Sequence, residues 1–413
     1  MKLLHTADWH LGQRLLEFDR KEEHQIVLDW LIKTIDNEEV DILIIAGDIF
    51  DAANPPNYAL TQYYQFLRNL LTTSCQHVVI IGGNHDSPSL LNAPSELLKN
   101  LNIYIVGSAV RNAEGETDYK QEIIALQDKE SGETDCLIAA VPFLRDRDLR
   151  FSITGETAEE RVKNIRRAIA EHYQQIADTI TKVRGEQEIP VIATGHLYVS
   201  GSTLSDSEQD IHLGNLGQVA ADIFPDAFQY VALGHLHKPQ IVGKQERIRY
   251  SGSLIPLSFS EYLDRKLVNI IAFEKSELKH ITAKEIPSPR KLLRLKGNLE
   301  NVFSKLKNID TDSRLPHWVE VIVENPESAN ALIEEQIRTE GAQNAHFEIL
   351  KIRIENKNAF DIYSSFTQHL EEVSPEDVFL KKCELSEFTE ERTQQLQLTF
   401  RELMNDLNEK DRE

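Results

Sequence analysis

The chain has 413 residues, 41% of them hydrophobic, and a formal net charge of −22. That length is too great for one compact core and calls for two or three domains. No apolar run is long enough to span a membrane, the start "MKLLHTADWH" lacks the apolar stretch of a signal peptide, and the acidity on its own argues against nucleic acid as a partner.

The average hides a distribution. From Lys357 to the end there are 14 acidic and 7 basic side chains, so much of the surplus lies in the tail. Arg145, Arg147 and Arg150 form a local basic group, as do Arg161, Lys163, Arg166 and Arg167, and again Arg290, Lys291, Arg294 and Lys296. Charge therefore does not settle the partner. Three cysteines, Cys75, Cys136 and Cys383, are far apart. They read as reduced thiols in a cytoplasmic protein, not as a disulfide framework or a zinc ribbon.

In chain order, "KLLHTAD" predicts a strand, and residues 21–37 place Ile26, Leu28, Leu31, Ile32 and Ile35 at helical spacing. "VDILIIAGDIFD" is a buried strand ending in polar residues. Pro55 and Pro56 lead into a helix with Leu60, Tyr63, Tyr64, Leu67 and Leu70 on one face. "HVVIIGGNHD", "CLIAAVPF", "IPVIATGHL" and "QYVALGHLH" are further strands, the last two preceded by helices. Strands apolar throughout and separated by helices indicate a sheet covered on both faces.

After "LVNIIAFE" the pattern changes. "KEIPSPRK" reads as a linker, and residues 291–355 as a small α+β unit. Its strands are "LLRLKG", "HWVEVIVE" and "AHFEILKIRIE", and its helix is "SANALIEEQIRT". A polar passage starts at Asn356. Ser374 and Pro375 open the tail as N-cap and first helical residue. Leu396, Phe400, Leu403 and Leu407 then recur at spacings that put them on one helix face.

Five strand ends carry polar groups: Asp8 and His10; Asp48 and Asp51; Asn84, His85 and Asp86; His196; and His235 with His237. Glycine stands beside four of them, where a chain must turn sharply or approach a ligand closely. Ligands collect outside the carboxyl ends of strands in such sheets, so these residues are expected to converge at one edge. An oxygen and nitrogen set without sulfur suits manganese, iron, magnesium or zinc. There are too many groups for one ion, and a pair of divalent ions fits, with phosphoester hydrolysis as the chemistry. One such motif alone is usually a capped turn; five in order are not.

The set and its order resemble the calcineurin-like metallophosphoesterases. With "MKLLHTADWHLGQ", "GDIFD", "GNHDSP" and "GHLHKPQ" followed by a small domain and a helical tail, the chain is more closely similar to the nuclease-subunit family of bacterial SbcCD complexes, the counterpart of the Mre-type nucleases. The resemblance implies a core of two mixed sheets sandwiched by helices, plus a small α+β capping domain and a helical C-terminal tail. It divides the chain into a nuclease domain at 1–280, a DNA-capping domain at 285–355, a linker at 356–373 and a docking segment at 374–413. It implies that Asp8, His10 and His237 bind one ion, that Asn84, His196 and His235 bind the other, and that Asp48 bridges them. The ions implied are two divalent metals, foremost Mn2+. His85 then faces the scissile phosphate and assists the leaving oxygen, with Asp86 orienting its ring. Where archaeal members carry a second histidine, this chain has Asp51, whose expected role is to orient a ligand or a water.

The function implied is a DNA phosphodiesterase, exonuclease and endonuclease in repair, recombination and replication. The partners implied are an SbcC-type ATPase with a coiled coil, received by Leu396, Phe400, Leu403 and Leu407, and double-stranded DNA ends and hairpins, with no membrane. A homodimer within a heterotetramer is also implied, with residues 58–71 and 88–100 as candidate dimer faces or core. Two other readings compete: a phosphatase or cyclic-nucleotide diesterase on the same core, and a binding module that has lost its metals. The phosphatase reading is disfavoured by the extra domain and tail, the binding module by the complete ligand set.

Overall fold

The structure is a computed structural model. It describes residues 1–112, 116–129, 131–149, 156–200, 202, 219–309, 313–324, 330–342, 344–355, 396, 399 and 400. In chain order the described strands begin with β1 (Lys2–Thr6), β2 (Arg14–Leu15), β3 (Phe18–Asp19), β4 (Ile42–Ala46), β5 (His77–Ile81) and β6 (Ile103–Val106). They continue with β7 (Ile123–Gln127), β8 (Thr134–Ala139), β9 (Val191–His196), β10 (Tyr230–Gly234), β11 (Gln240–Val242) and β12 (Gln245–Tyr250). The last are β13 (Leu267–Glu274), β14 (Glu277–Glu285), β15 (Leu292–Gly297), β16 (His317–Glu324) and β17 (Phe347–Glu355). The helices are α1 (Lys21–Asn37), α2 (Asn57–Leu70), α3 (Pro88–Asn92), α4 (Ser95–Lys99), α5 (Asp146–Leu149), α6 (Ala158–Arg184), α7 (Leu299–Lys307) and α8 (Asn330–Gly341).

Two six-stranded sheets form the core, in the orders β14-β13-β1-β4-β5-β6 and β11-β12-β10-β9-β8-β7. Both are mixed. In the first, β1, β4, β5 and β6 run parallel while β13 pairs antiparallel with β1. In the second, β12, β10, β9 and β8 run parallel while β7 and β11 are antiparallel edges.

The alternation of side chains explains why the strands read as unbroken apolar runs. On β4, Ile42 and Ile44 point between the sheets, where they meet Ile138, Ile192 and Ala232 of the second sheet. Leu43 and Ile45 point the other way, onto Val27, Leu31 and Ile35 of α1 and Phe66 of α2. The outer face of the second sheet is covered by Ile169, Tyr173, Ile176 and Ile180 of α6. Thr157 caps that helix in a box with Glu160.

The expected face on residues 58–71 is mainly core, since Tyr63, Phe66, Leu67 and Leu70 are buried. Tyr64, Leu71, Leu97 and Leu101 remain exposed. Apolar periodicity does not announce β14, an edge strand of the first sheet with no fully buried residue, because its mostly polar run "ELKHITAKE" carries little apolar signal. The core sheet consequently runs to Glu285. The helix expected before β10 falls largely on residues outside those described, where only the short turn Ala221–Ile223 is seen.

The small C-terminal unit packs α7 and α8 on a three-stranded sheet in the order β15-β16-β17. All three strands are parallel, so the two helices are its crossovers. Of the tail, Leu396 and Phe400 are helical and half-buried; Leu403 and Leu407 lie outside the described residues.

Candidate metal centre

Each candidate side chain leaves the carboxyl end of a parallel strand. Asp8 and His10 follow β1, Asp48 and Asp51 follow β4, and Asn84, His85 and Asp86 follow β5. His196 ends β9, and His235 and His237 follow β10. The first three groups come from one sheet and the last two from the other. The expectation of a single sheet edge is thus corrected: the site sits where the carboxyl ends of two facing sheets meet.

The turns that build it are tight. Asp8, His10, Asp48 and His235 all have left-handed backbone, with φ of 51°, 47°, 49° and 100°. Such residues cost free energy of order 1–3 kcal/mol each and concentrate at functional sites. Gly83 shows why no side chain is tolerated beside the ligand loop: a Cβ there would lie 2.1 Å from Asp48 Oδ1. The loops are stitched together by backbone bonds from Asp8 N to the Gly47 carbonyl (3.0 Å) and from His10 N to the Asp48 carbonyl (3.0 Å).

Asp48 lies at the centre. Its Oδ2 is 3.2 Å from His196 Nε2 and 3.6 Å from His10 Nε2. Its Oδ1 accepts the His85 amide at 2.9 Å. Asn84 Oδ1 stands 3.0 Å from His196 Nε2 and 2.9 Å from His235 Nδ1. Asp8 Oδ1 accepts the His235 amide at 2.8 Å. The ring of His10 lies edge-on to those of His85 and His237, with centroids 4.9 and 5.1 Å away.

One candidate stands differently from expectation. Asp86 does not reach the ring of His85. Its buried carboxylate accepts the amides of Ile49 (3.1 Å), Phe50 (3.0 Å) and Gly83 (2.9 Å), so it clamps the Asp48 loop to the Asn84 loop. The His85 ring is oriented through Nδ1, which donates to the Asp51 carbonyl at 2.8 Å. The side chain of Asp51 meets His10 Nδ1 at 3.2 Å.

Sequence reasoning missed Glu261, a fully buried carboxylate 3.3 Å from His237 Nδ1. Its only signal is one acid in the otherwise apolar and hydroxyl-bearing run "SGSLIPLSFSEY". The basic group of the small domain proves to be engaged: Arg294 pairs with Glu320 (2.6 Å) and Lys296 with Glu355 (2.8 Å). Arg145 donates to the Asp86 carbonyl at 3.2 Å.

Electrostatics follow from burial. Burial pushes the Asp8 carboxyl up to about 6, against the pull of His196 and His237. Burial acts the same way on Asp48, yet His196, His10 and His85 override it and hold that carboxyl well below the usual range. Burial would lower His196, but Asp48 beside it raises the imidazole to about 9.

The donors fit divalent cations. Asp8 Oδ2 and His10 Nε2 are buried without a hydrogen-bonding partner, a costly state for polar atoms that serve no ligand. The ligand atoms of Asp8, His10 and Asp48 lie within 4.8 Å of one another, as do those of Asp48, His196 and His235. Asp48 belongs to both groups. The set is oxygen and nitrogen only, as hard and borderline divalent ions prefer.

Comparison with known proteins gives the same outline. A family model described as calcineurin-like phosphoesterase matches residues 1–239, and one described as Type 5 capsule protein repressor C-terminal domain matches residues 288–387. The SbcD subunit of the nuclease SbcCD from Escherichia coli (strain K12) is 36% identical over 403 residues, covering 97% of each chain. The chain belongs to the SbcD nuclease-subunit family. Further members from Rhodobacter capsulatus and Bacillus subtilis are 36% and 34% identical over 266 and 283 residues. These matches cover 63% and 67% of this chain, and 64% and 67% of the relatives. As a member of this family, the chain is a nuclease subunit of phosphoesterase type.

Proposed function

We propose that this chain hydrolyses DNA phosphodiester bonds with two divalent ions, Mn2+ foremost, as the nuclease subunit of a complex with an SbcC-type ATPase. One observation carries the reading: Asp48 is shared by two buried clusters of oxygen and nitrogen donors, in one of which Asp8 Oδ2 and His10 Nε2 lack hydrogen-bonding partners. Asp8, His10 and His237 would hold one ion, Asn84, His196 and His235 the other, and Asp48 would bridge them.

When bound, such a pair polarises a phosphate, activates water and stabilises the leaving oxygen. The chain's own residues do the rest. Asp86 fixes the two loops that carry Asp48 and Asn84. The Asp51 carbonyl accepts a hydrogen bond from His85 Nδ1–H, which fixes the ring. As the imidazolium, with Nε2 protonated as well, it hands the Nε2 proton to the leaving oxygen and returns to the neutral Nδ1–H form. Asp51 also steadies His10 through Nδ1, so that Nε2 is the atom turned to the ion.

The proposed division of labour keeps the nuclease site in the two-sheet core and gives DNA capping to the small domain at 285–355 and ATPase docking to 374–413. Duplex ends and hairpins as substrates, a homodimer within a heterotetramer, and a cytoplasmic location complete the proposal. Family membership supports them, and among the described residues no helix is long and apolar enough to cross a membrane.

The test is cleavage by the purified chain with Mn2+ or with chelator. Linear duplex DNA should be degraded only with the metal. Turnover of small phosphoesters with no attack on DNA would replace this reading by the phosphatase one.

A further inference from the structure

The three-residue turn Phe259–Glu261 and the residue after it face two ways. Glu261 turns inward. Its Oε1 is 3.3 Å from His237 Nδ1, and its Oε2 accepts Lys266 Nζ (2.7 Å) and the Leu257 amide (3.1 Å). Lys266 is itself buried and also donates to the His237 carbonyl (2.9 Å) and to Ser253 Oγ (2.9 Å). A carboxylate held by a lysine can only accept, so His237 Nδ1 must donate and Nε2 keeps its lone pair.

Phe259 and Tyr262 turn outward to the small domain. Phe259 packs with Leu15 of the core and with Leu292 and Trp318 of β15 and β16, and Tyr262 lies against the same cluster. Arg294 of β15 stacks over the Tyr262 ring at 5.5 Å. Two guanidinium groups also grip Trp318, Arg290 at 3.9 Å and the buried Arg20 at 5.3 Å. Arg20 also donates to the Pro256 carbonyl at 2.8 Å, and Gln13 to the Leu257 carbonyl at 3.0 Å. One short segment, residues 256–262, is thus pinned by the small domain on one side and by the Nδ1 edge of His237 on the other.

We propose that Glu261 is a positioning residue that ties His237 to the seat of the small domain, so that the seating of Trp318 sets the affinity of one of the two ion positions. The inference rests on the proposed assignment of His237 to a metal position. A small domain lodged against segment 256–262 would hold Glu261, and with it the imidazole, in its binding orientation; a displaced one would release both.

The experiment titrates Mn2+ into the full-length protein and reads free Mn2+ by electron paramagnetic resonance. Thermal unfolding in chelator is recorded alongside. Glu261→Leu, which removes the acceptor, would alone leave Lys266 buried without a counter-charge, so the variant is the pair E261L/K266M. The unmodified chain should take up two equivalents. In the paired variant one equivalent should weaken by roughly 10–100-fold, as loss of an outer partner does at metal sites, while the other stays tight. Trp318→Ala touches neither His237 nor Glu261, yet it should weaken the same equivalent by roughly 2–30-fold.

Unchanged affinity in Trp318→Ala overturns the tie, whether or not the paired variant folds. So does equal weakening of both equivalents, or weakening matched by an equal loss of stability in chelator, since either marks a merely structural role. An unmodified chain that takes up no Mn2+ sinks the metal assignment itself, which is a different failure.

Discussion

The Asp86 carboxylate and the Phe50 amide, 36 residues apart in the chain, are joined at 3.0 Å, and the same carboxylate also holds Ile49 and Gly83. One buried acid therefore sets the distance between the loops that carry Asp48 and Asn84. Removing it strands three amides inside the protein. Asp86→Ala should cost about 3 kcal/mol, since bonds to charged groups are worth about 1.5–3 kcal/mol each and do not add fully. It should also lower activity although Asp86 touches no ligand, and Asp86→Asn should recover part of both. Urea unfolding and nuclease assays on the two variants check this, and an alanine variant as stable as the parent would show that the clamp holds nothing.

The strand ends were legible because each combines two signals: an apolar run that must be buried, and a polar cluster that burial makes costly unless it has a task. That logic finds Asp8, Asp48, Asn84, His196 and His235 without any structure. It gives no information on which neighbour a side chain meets. Asp86 follows His85 in sequence, but its carboxylate turns back to backbone amides, and the Asp51 carbonyl, from the loop after β4, orients His85 instead. Glu261 was invisible for a related reason: its partners His237 and Lys266 are brought together only by the fold. The pairing of two sheets, and the strand β14 on an edge of the first, likewise depend on long-range contacts that periodicity does not encode.

Asp48 is the residue common to both donor clusters. On the proposed assignment, Asp48→Ala should abolish Mn2+-dependent cleavage and weaken uptake of both ions. The fold should persist, because the site lies at the strand ends and not in the apolar layers. Calorimetric Mn2+ titration and circular dichroism separate the two effects. Near-normal cleavage by this variant would mean that the bridge is misassigned.

His85 has its ring held by the Asp51 carbonyl and set edge-on to His10, and its ligand atom lies within 4.8 Å of those of His10 and Asp51 in a third group, outside the two that share Asp48. His85→Ala should therefore retain both ions and bind DNA, while turnover falls by roughly 10²–10⁴-fold if proton donation is its main task. Single-turnover cleavage together with a metal titration reads this directly. Loss of an ion in the variant would make His85 a ligand.

His5 ties the two sheets: its Nδ1 is 2.9 Å from the Tyr230 hydroxyl and its Nε2 3.2 Å from the Leu233 carbonyl. Burial lowers its pKa from 6.5 to about 3, so it is neutral in the fold. Its contribution to stability is complete above pH 6.5 and is lost as pH falls toward 3, because the unfolded chain takes up a proton that the folded one refuses. The slope is up to about 1.4 kcal/mol per pH unit. His5→Gln should flatten the fall of the urea midpoint as pH drops below 6.5 relative to the parent; parallel curves would show that His5 does not carry it.

The tail offers the most distant test from the metal centre. Leu396 and Phe400 are four residues apart and helical, and the spacing of Leu403 and Leu407 in the sequence predicts one apolar stripe for the four. An apolar stripe in an acidic, polar segment calls for a groove, and the SbcCD family membership makes a coiled-coil ATPase the proposed owner of that groove. Every proposed metal ligand lies at or before His237. Removal of residues 374–413 should therefore abolish co-purification with the ATPase while Mn2+-dependent cleavage of short DNA by the isolated chain stays largely intact. The replacements Leu396→Asp and Phe400→Asp in the full chain should reproduce the loss of association with less disturbance. Undiminished co-purification of the truncated chain would put the partner's site elsewhere, and a truncated chain that unfolds at lower urea would show that the stripe belongs to the chain's own core.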